Sequence, residues 1–205
     1  MKLIFESNQI TDYLKENPPY IRFKTPQVRA MISAIEAKTS SAEQRAKLAF
    51  EIVRDEIKHS FDTGNPLVTI GAEEALEHKA GICFAKSHLL ATLLRGMDIP
   101  TGFCYQRVLR KGTIESGYAL HGLNAVYLPD IGWFRVDPRG NKPGIDTEFN
   151  THQEQLAYPI RAELGEIDYP NVFVAPLPGV LKAMRLSKDS QELFYKRPEA
   201  LEGYN

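Results

Sequence analysis

The chain has 205 residues, enough for one sizeable core, and its apolar and charged fractions of 43% and 25% are those of a globular protein. A net charge of -1 supplies no basic excess, so nucleic-acid and membrane-surface partners are not expected. No stretch approaches the 18 apolar residues of a bilayer span, and "MKLIFESNQI" is too short a run for a secretion signal.

In chain order, "NPPYIRFKTP" (residues 17–26) is punctuated by proline and reads as an extended connector. "QVRAMISAIEAK" and "SAEQRAKLAFEIVRDEIKHS" carry helical spacing. In the second, Ala46, Ala49, Phe50, Val53 and Ile57 recur at steps of three and four, with Ser41 as N-cap. Residues 62–71 read as loop. "GICFAKSHLLATLLRGMDIP" is an amphipathic helix, with Leu89, Leu90, Leu93, Leu94 and Met97 on an inner arc and His88, Thr92 and Arg95 on an outer face. From Thr101 the period becomes two. "TGFCYQRVLR", "ALHGLNAVYL" and "WFRVD" read as strands joined by turns, and Pro138 stops the last. Beyond Gly144 the text is irregular, with helices expected near residues 180–186 and 190–196. Helices followed by an antiparallel sheet give an α+β class.

Two cysteines make no disulfide framework in a chain this long, so free thiols in a reducing, cytoplasmic setting are expected. Cys83 opens the leucine-rich helix, where unpaired N–H groups and the helix dipole favour an anion. A thiolate there is stabilised, which is what makes a cysteine nucleophilic near neutral pH. The plainer reading is a buried, inert thiol. Gly81, just before the helix, would let a substrate carbonyl approach the helix start. Cys104, in "GFCYQ", reads as core packing, with Tyr105 or Gln106 towards a cleft.

A nucleophilic thiol needs a base, and the base an orienting acceptor. His88 lies five residues beyond Cys83, about 140° round the helix, and faces away. His121 lies mid-strand, sharing a face with Leu123 and Ala125. It is either a satisfied core histidine or the base. Asp137 ends the next strand, where a turn-forming role is the alternative. If Leu128 paired directly with Trp133, Asp137 would fall opposite Asn124, on the wrong face. A register shifted by one residue or a bulge places it opposite Leu123 or Ala125, diagonal to His121. That shifted register is the expectation.

"GICFAKSHLLATLLRGMDIP", "HGLNAVYL" and "GWFRVDP" together resemble the transglutaminase-like superfamily, a circle of papain-like thiol enzymes. "VRDEIKHSFD" and "DPRGN" look like a bacterial branch of it whose members are often labelled cysteine proteases. The resemblance implies one domain over residues 1–205, with a core at about 42–145, an N-terminal extension at 1–41 and a C-terminal extension at 147–205 wrapping the core. It implies a helix carrying the nucleophile at its start, packed on an antiparallel sheet. It also implies Cys83 as nucleophile, His121 as general base and acid, and Asp137 as the residue orienting His121. The reaction implied is acyl transfer, with hydrolysis of a peptide or amide substrate ahead of transamidation by an amine. No cofactor or metal is implied, and no acidic loop of calcium-ligand spacing is present. Gly122 and Leu123 stand where many members have Ala-Trp, so substrate identity does not carry over. A second oxyanion donor is unassigned. His59 is a candidate, with a helix C-cap role as its alternative.

The rival classes are a binding module that keeps the fold without the chemistry, and a metal site from Cys83, Cys104, His88 and His121. No pair among those four has close metal-ligand spacing.

Overall fold

The computed structural model describes residues 1–203. β1 (Ile4–Phe5) is followed by a 3-10 turn at Ile10–Leu14, and by α1 (Pro26–Glu36) and α2 (Ala42–Glu56). Ser41 Oγ accepts the Gln44 N–H, and Ala46, Ala49, Phe50 and Val53 are buried, as the spacing predicts. Then come β2 (Lys58–His59), α3 (Ser60–Thr63), α4 (Ala72–His78), β3 (Ala80–Gly81) and α5 (Cys83–Gly96). The sheet strands are β4 (Thr101–Leu109), β5 (Tyr118–Leu128), β6 (Gly132–Val136) and β7 (Ile167–Asp168), in the order β6-β5-β4-β7 with every pairing antiparallel. β8 (Asn171–Val172) pairs in parallel with β1, and α6 (Pro178–Leu186) and α7 (Ser190–Lys196) close the chain.

The class is α+β, as expected, with α5 packed on the sheet. Two short elements escape the sequence periodicity. α4 is fixed by Glu74, whose carboxylate accepts the N–H groups of Ile70 and Gly71. α3 occupies part of the stretch read as loop.

A larger correction concerns α5. His88, Thr92 and Arg95 were expected on an outer face, yet each is 0–1% exposed. The helix is enclosed by helices on one side and the sheet on the other, and backbone carbonyls meet the polar groups of these three residues. His88 Nδ1 meets the Ile70 carbonyl at 2.7 Å, and Thr92 Oγ1 donates to the His88 carbonyl at 2.8 Å. Leu89, Leu90, Leu93 and Leu94 are likewise buried. Each stabilises the fold by about 1.5–3 kcal/mol relative to exposure.

Among the described residues no helix is long and apolar enough to cross a membrane.

Candidate active site

α5 places Cys83 at its first position, directly after the extended residue Ile82. The preceding strand β3 runs beside β2, with His59 paired to Gly81. Lys86, one turn into α5, fastens this arrangement by donating to the carbonyls of Arg54, at 3.0 Å, and Ile57. Burial pulls its ammonium down to about 7.

Gly81 has a different reason from the one expected. A Cβ there would lie 2.8 Å from the Ala85 Cβ and 2.9 Å from Thr69 Oγ1, so the glycine serves close packing of β3 on α5. Gly122 likewise answers to Phe84. A Cβ at 122 would sit 2.7 Å from Phe84 Cδ1, so the aromatic next to Cys83 requires glycine on the facing strand.

The β5–β6 register is the shifted one. Leu128 pairs with Gly132 and Asn124 with Val136, so the next residue, Asp137, comes beside Leu123 on the face of His121. His121 Nε2 then donates to Asp137 Oδ2 at 2.7 Å. The other ring nitrogen is left for Cys83, whose thiolate and the His121 imidazolium stabilise each other. Asp137 is wholly buried and accepts two further bonds, from the N–H groups of Arg139 at 3.1 Å and Ala157 at 2.9 Å.

Electrostatics follow from this chain of bonds. Burial opposes a Cys83 thiolate, but the His121 charge, its hydrogen bond, the Arg197 cation and the Gly122 N–H outweigh it and lower the thiol pKa. Burial also opposes an imidazolium, yet Asp137 and Cys83 hold His121 well above its ordinary value. The Asp137 carboxyl lies below its usual range. Burial works against that, and His121 and the two backbone donors prevail. Thiolate and imidazolium therefore favour each other as a pair. Cys104 behaves oppositely. Buried beside Tyr13, Leu123 and Val172, its thiol is pushed up to about 12 and stays protonated.

Cys83 and His121 are each 2% exposed and are reached through a cleft of about 280 Å³. Its walls include His59, Phe61, Tyr158 and Phe194, and the end of β4 from Val108 onward. Tyr158 stands edge-on to the His121 ring at 4.8 Å and receives a hydrogen bond from Arg139 Nε at 3.1 Å. Tyr105 and Gln106 do not face this cleft: Tyr105 packs between Phe84 and Phe173, and Gln106 donates to Asp168. His59 is not a helix C-cap, because α2 ends at Glu56 and His59 lies on β2. Its ring is buried and Nδ1 has no hydrogen-bond partner. Burial first, then the cations Arg139 and Lys86, keep it neutral.

Sequence reasoning reached Cys83, His121 and Asp137 but not Ala157, Tyr158, Phe194 or Arg197. Ala157 acts through a backbone N–H, which leaves no side-chain signature. The others lie in the irregular third, where local pattern does not say what they face. The metal quartet is not assembled, since His88 bonds to Ile70 and Cys104 lies in a separate cluster.

The transglutaminase-like superfamily model matches residues 29–138. A provisionally named cysteine protease from Cytophaga hutchinsonii has a similar solved structure, with TM-score 0.52 and 15% identity over 65% of this chain and 43% of that one. The periplasmic domain of TgpA from Pseudomonas aeruginosa is a second, with TM-score 0.46 and 18% identity over 62% of this chain and 45% of that one. The chain spans less than half the length of either. No curated protein sequence matches it. With the family model covering more than half of its residues, the chain belongs to the transglutaminase-like superfamily, which includes cysteine-dependent acyltransferases and proteases.

Proposed function

We propose that the chain is a thiol-dependent acyl-transfer enzyme that hydrolyses an amide or peptide bond. The observation that carries this reading is the buried His121–Asp137 hydrogen bond with Cys83 beside it in one cleft, where the His121 charge favours the thiolate. The Cys83 thiolate attacks the substrate carbonyl carbon, and the carbonyl electron pair moves onto oxygen. His121, already protonated, gives its proton to the leaving amine as the C–N bond breaks. Water then loses a proton to His121, attacks the thioester and releases a carboxylic acid, with Cys83 regenerated. Asp137 holds the imidazole orientation throughout.

Iodoacetamide at pH 6 tests the nucleophile. Cys83 is expected to react about tenfold or more faster than glutathione, because a lowered pKa keeps thiolate present where an ordinary thiol is protonated. Equal rates would remove the enzyme reading. Profiling the purified chain against peptide and glutamine-amide libraries, beside a Cys83→Ala control, then separates hydrolysis from transamidation.

The developing oxyanion needs donors, and we assign one to His59, whose neutral ring lines the same cleft as Cys83 and keeps Nδ1 without a hydrogen-bond partner. His59→Phe is expected to lower kcat by about 10²-fold. It should leave the iodoacetamide rate nearly unchanged, since alkylation forms no oxyanion. A parallel fall in both would make His59 a support of the thiolate instead.

A further inference from the structure

The cleft carries far more positive charge than the chain as a whole. The protein has a net charge of -1. Yet Arg110, Lys111, Arg139, Lys142 and Arg197 all line the cleft, against the single carboxylate of Asp62.

Their partners are unequally distributed. Arg139 and Lys142 share Asp62, at 2.5 Å each, and so belong to one ion-paired group. Arg110 Nη2 meets one carboxylate, Glu199 at 3.2 Å, whose side chain is 63% exposed, and also donates to the Tyr195 carbonyl at 3.2 Å. Lys111 Nζ donates to the Tyr195 hydroxyl at 3.2 Å and, among the described residues, pairs with no carboxylate. Arg197 is the most telling. It is 8% exposed, and its guanidinium lies 5.1 Å from the Phe61 ring centre and 4.9 Å from that of Phe194. Its Nε donates to the Phe194 carbonyl at 3.3 Å. Among the described residues its two terminal nitrogens meet no carboxylate.

A buried guanidinium is costly unless an anion faces it. The two aromatic faces hold the Arg197 fork in place without neutralising it. Burial acts most strongly against the Arg197 charge, the nearby Arg110 and Arg139 cations add to it, and among the described residues no carboxylate meets the guanidinium to offset them. The Cys83 thiolate supplies part of the compensation, but it also pairs with His121. The guanidinium geometry suits a planar anion accepting two parallel bonds.

We infer that Arg197, with Arg110 and Lys111 beside it, forms a carboxylate-binding subsite next to Cys83, so that the substrate carries a carboxylate close to the carbonyl that is attacked. The inference deepens the acyl-transfer reading and rests on Cys83 as the reactive thiol. The carboxylate can be a peptide's C-terminal one or that of an acidic side chain, and both present the same chemistry to Arg197.

The test compares two alkylating agents of nearly equal size, iodoacetate and iodoacetamide, on the full chain at pH 7. Each reacts by thiolate displacement of iodide, and the ratio of their rates cancels the fraction of thiol ionised. The iodoacetate-to-iodoacetamide ratio at Cys83 is expected to exceed that of glutathione by about tenfold, a modest share of what a close ion pair in a partly buried site supplies. In Arg197→Gln the ratio falls to the glutathione value, and in Arg197→Lys, which keeps the charge should the neutral variant misfold, it stays raised. A wild-type ratio equal to that of glutathione overturns the subsite. So does an Arg197→Gln variant that slows both reagents equally, which would make Arg197 a support of the thiolate alone. A failed thiolate reads out separately, as an iodoacetamide rate no higher than that of glutathione.

Protection of Cys83 from iodoacetamide then distinguishes the two sources. An N-acetylated dipeptide with a free C-terminus is compared with a C-terminally amidated one bearing glutamate. Preferential protection by either identifies the source, and protection by neither beyond a neutral amidated dipeptide overturns the inference.

Discussion

Asp137→Asn is expected to lower turnover by about 10³–10⁴-fold and to move the acid limb of Cys83 alkylation to higher pH. The carboxylate accepts three N–H groups, from His121 at 2.7 Å, Ala157 at 2.9 Å and Arg139 at 3.1 Å. Asparagine keeps one acceptor oxygen and replaces the other with a donor. Whichever way it turns, an N–H group faces an N–H group, at a cost of about 1–3 kcal/mol. The imidazolium is disfavoured by burial, and Asp137 is the largest of the influences that overcome this. Without the charge, the His121 pKa falls, the thiolate loses its cation, and the Cys83 pKa rises. An alkylation profile unmoved by the substitution would detach Asp137 from the reactive thiol.

The same two groups set a pH window for stability. Asp137 titrates below its unfolded value of about 4, so its contribution is present above that pH and is lost as pH falls through the folded pKa. His121 titrates above its unfolded value of about 6.5, so its contribution is complete below that pH and is lost as pH rises through the folded pKa. The Tm difference between wild type and Asp137→Asn should therefore be greatest between about pH 4 and 6.5 and narrow on both sides. A difference that keeps growing above pH 8 would contradict the pairing.

The site was legible to the extent that it lay on regular elements. Period two sets the face of His121, Pro138 fixes where the third strand stops, and the demand that Asp137 reach His121 selects a register from the sequence alone. Leu128 pairing with Gly132 meets that demand. Periodicity fails where burial comes from distant segments. His88, Thr92 and Arg95 have the spacing of a solvated face, and nothing local shows that the Ile70 and Val174 carbonyls will come to meet it. Arg197 is a similar case. It follows a short capped helix in a proline-bounded tail, and only the docking of α7 beside α3 brings it to the cleft. Glycine misleads in a different way, since Gly81 and Gly122 both signal close approach, and in both the approaching group is the protein's own side chain.

Arg95→Met should cost about 3–5 kcal/mol, the range for breaking a buried polar network by removing its charged member. Arg95 is 1% exposed and donates to three carbonyls: Thr101 at 3.0 and 2.6 Å, Lys15 at 2.7 Å and Val174 at 2.7 Å. Those acceptors belong to the N-terminal segment, the start of β4 and the strand region after β8, so one side chain ties three parts of the chain to the end of α5. Methionine keeps most of the stem volume and its contact with Phe103, over which the guanidinium lies at 5.3 Å, but leaves the carbonyls without donors. Each such loss costs about 1–3 kcal/mol, offset in part because a buried cation no longer has to be held. Burial lowers that cation's pKa to about 10, so it is still charged at neutral pH and the offset is real. For a chain of this size the net corresponds to a Tm lower by about 10 °C, with hydrogen-exchange protection falling first around residues 13–21 and 171–174. A loss below about 1 kcal/mol would mean that water replaces the guanidinium at no cost. Below the melting transition, iodoacetamide should still find Cys83 as reactive as in the wild type, because the thiol is fixed at the opposite end of α5, by His121, Gly122 and the packing of Phe84.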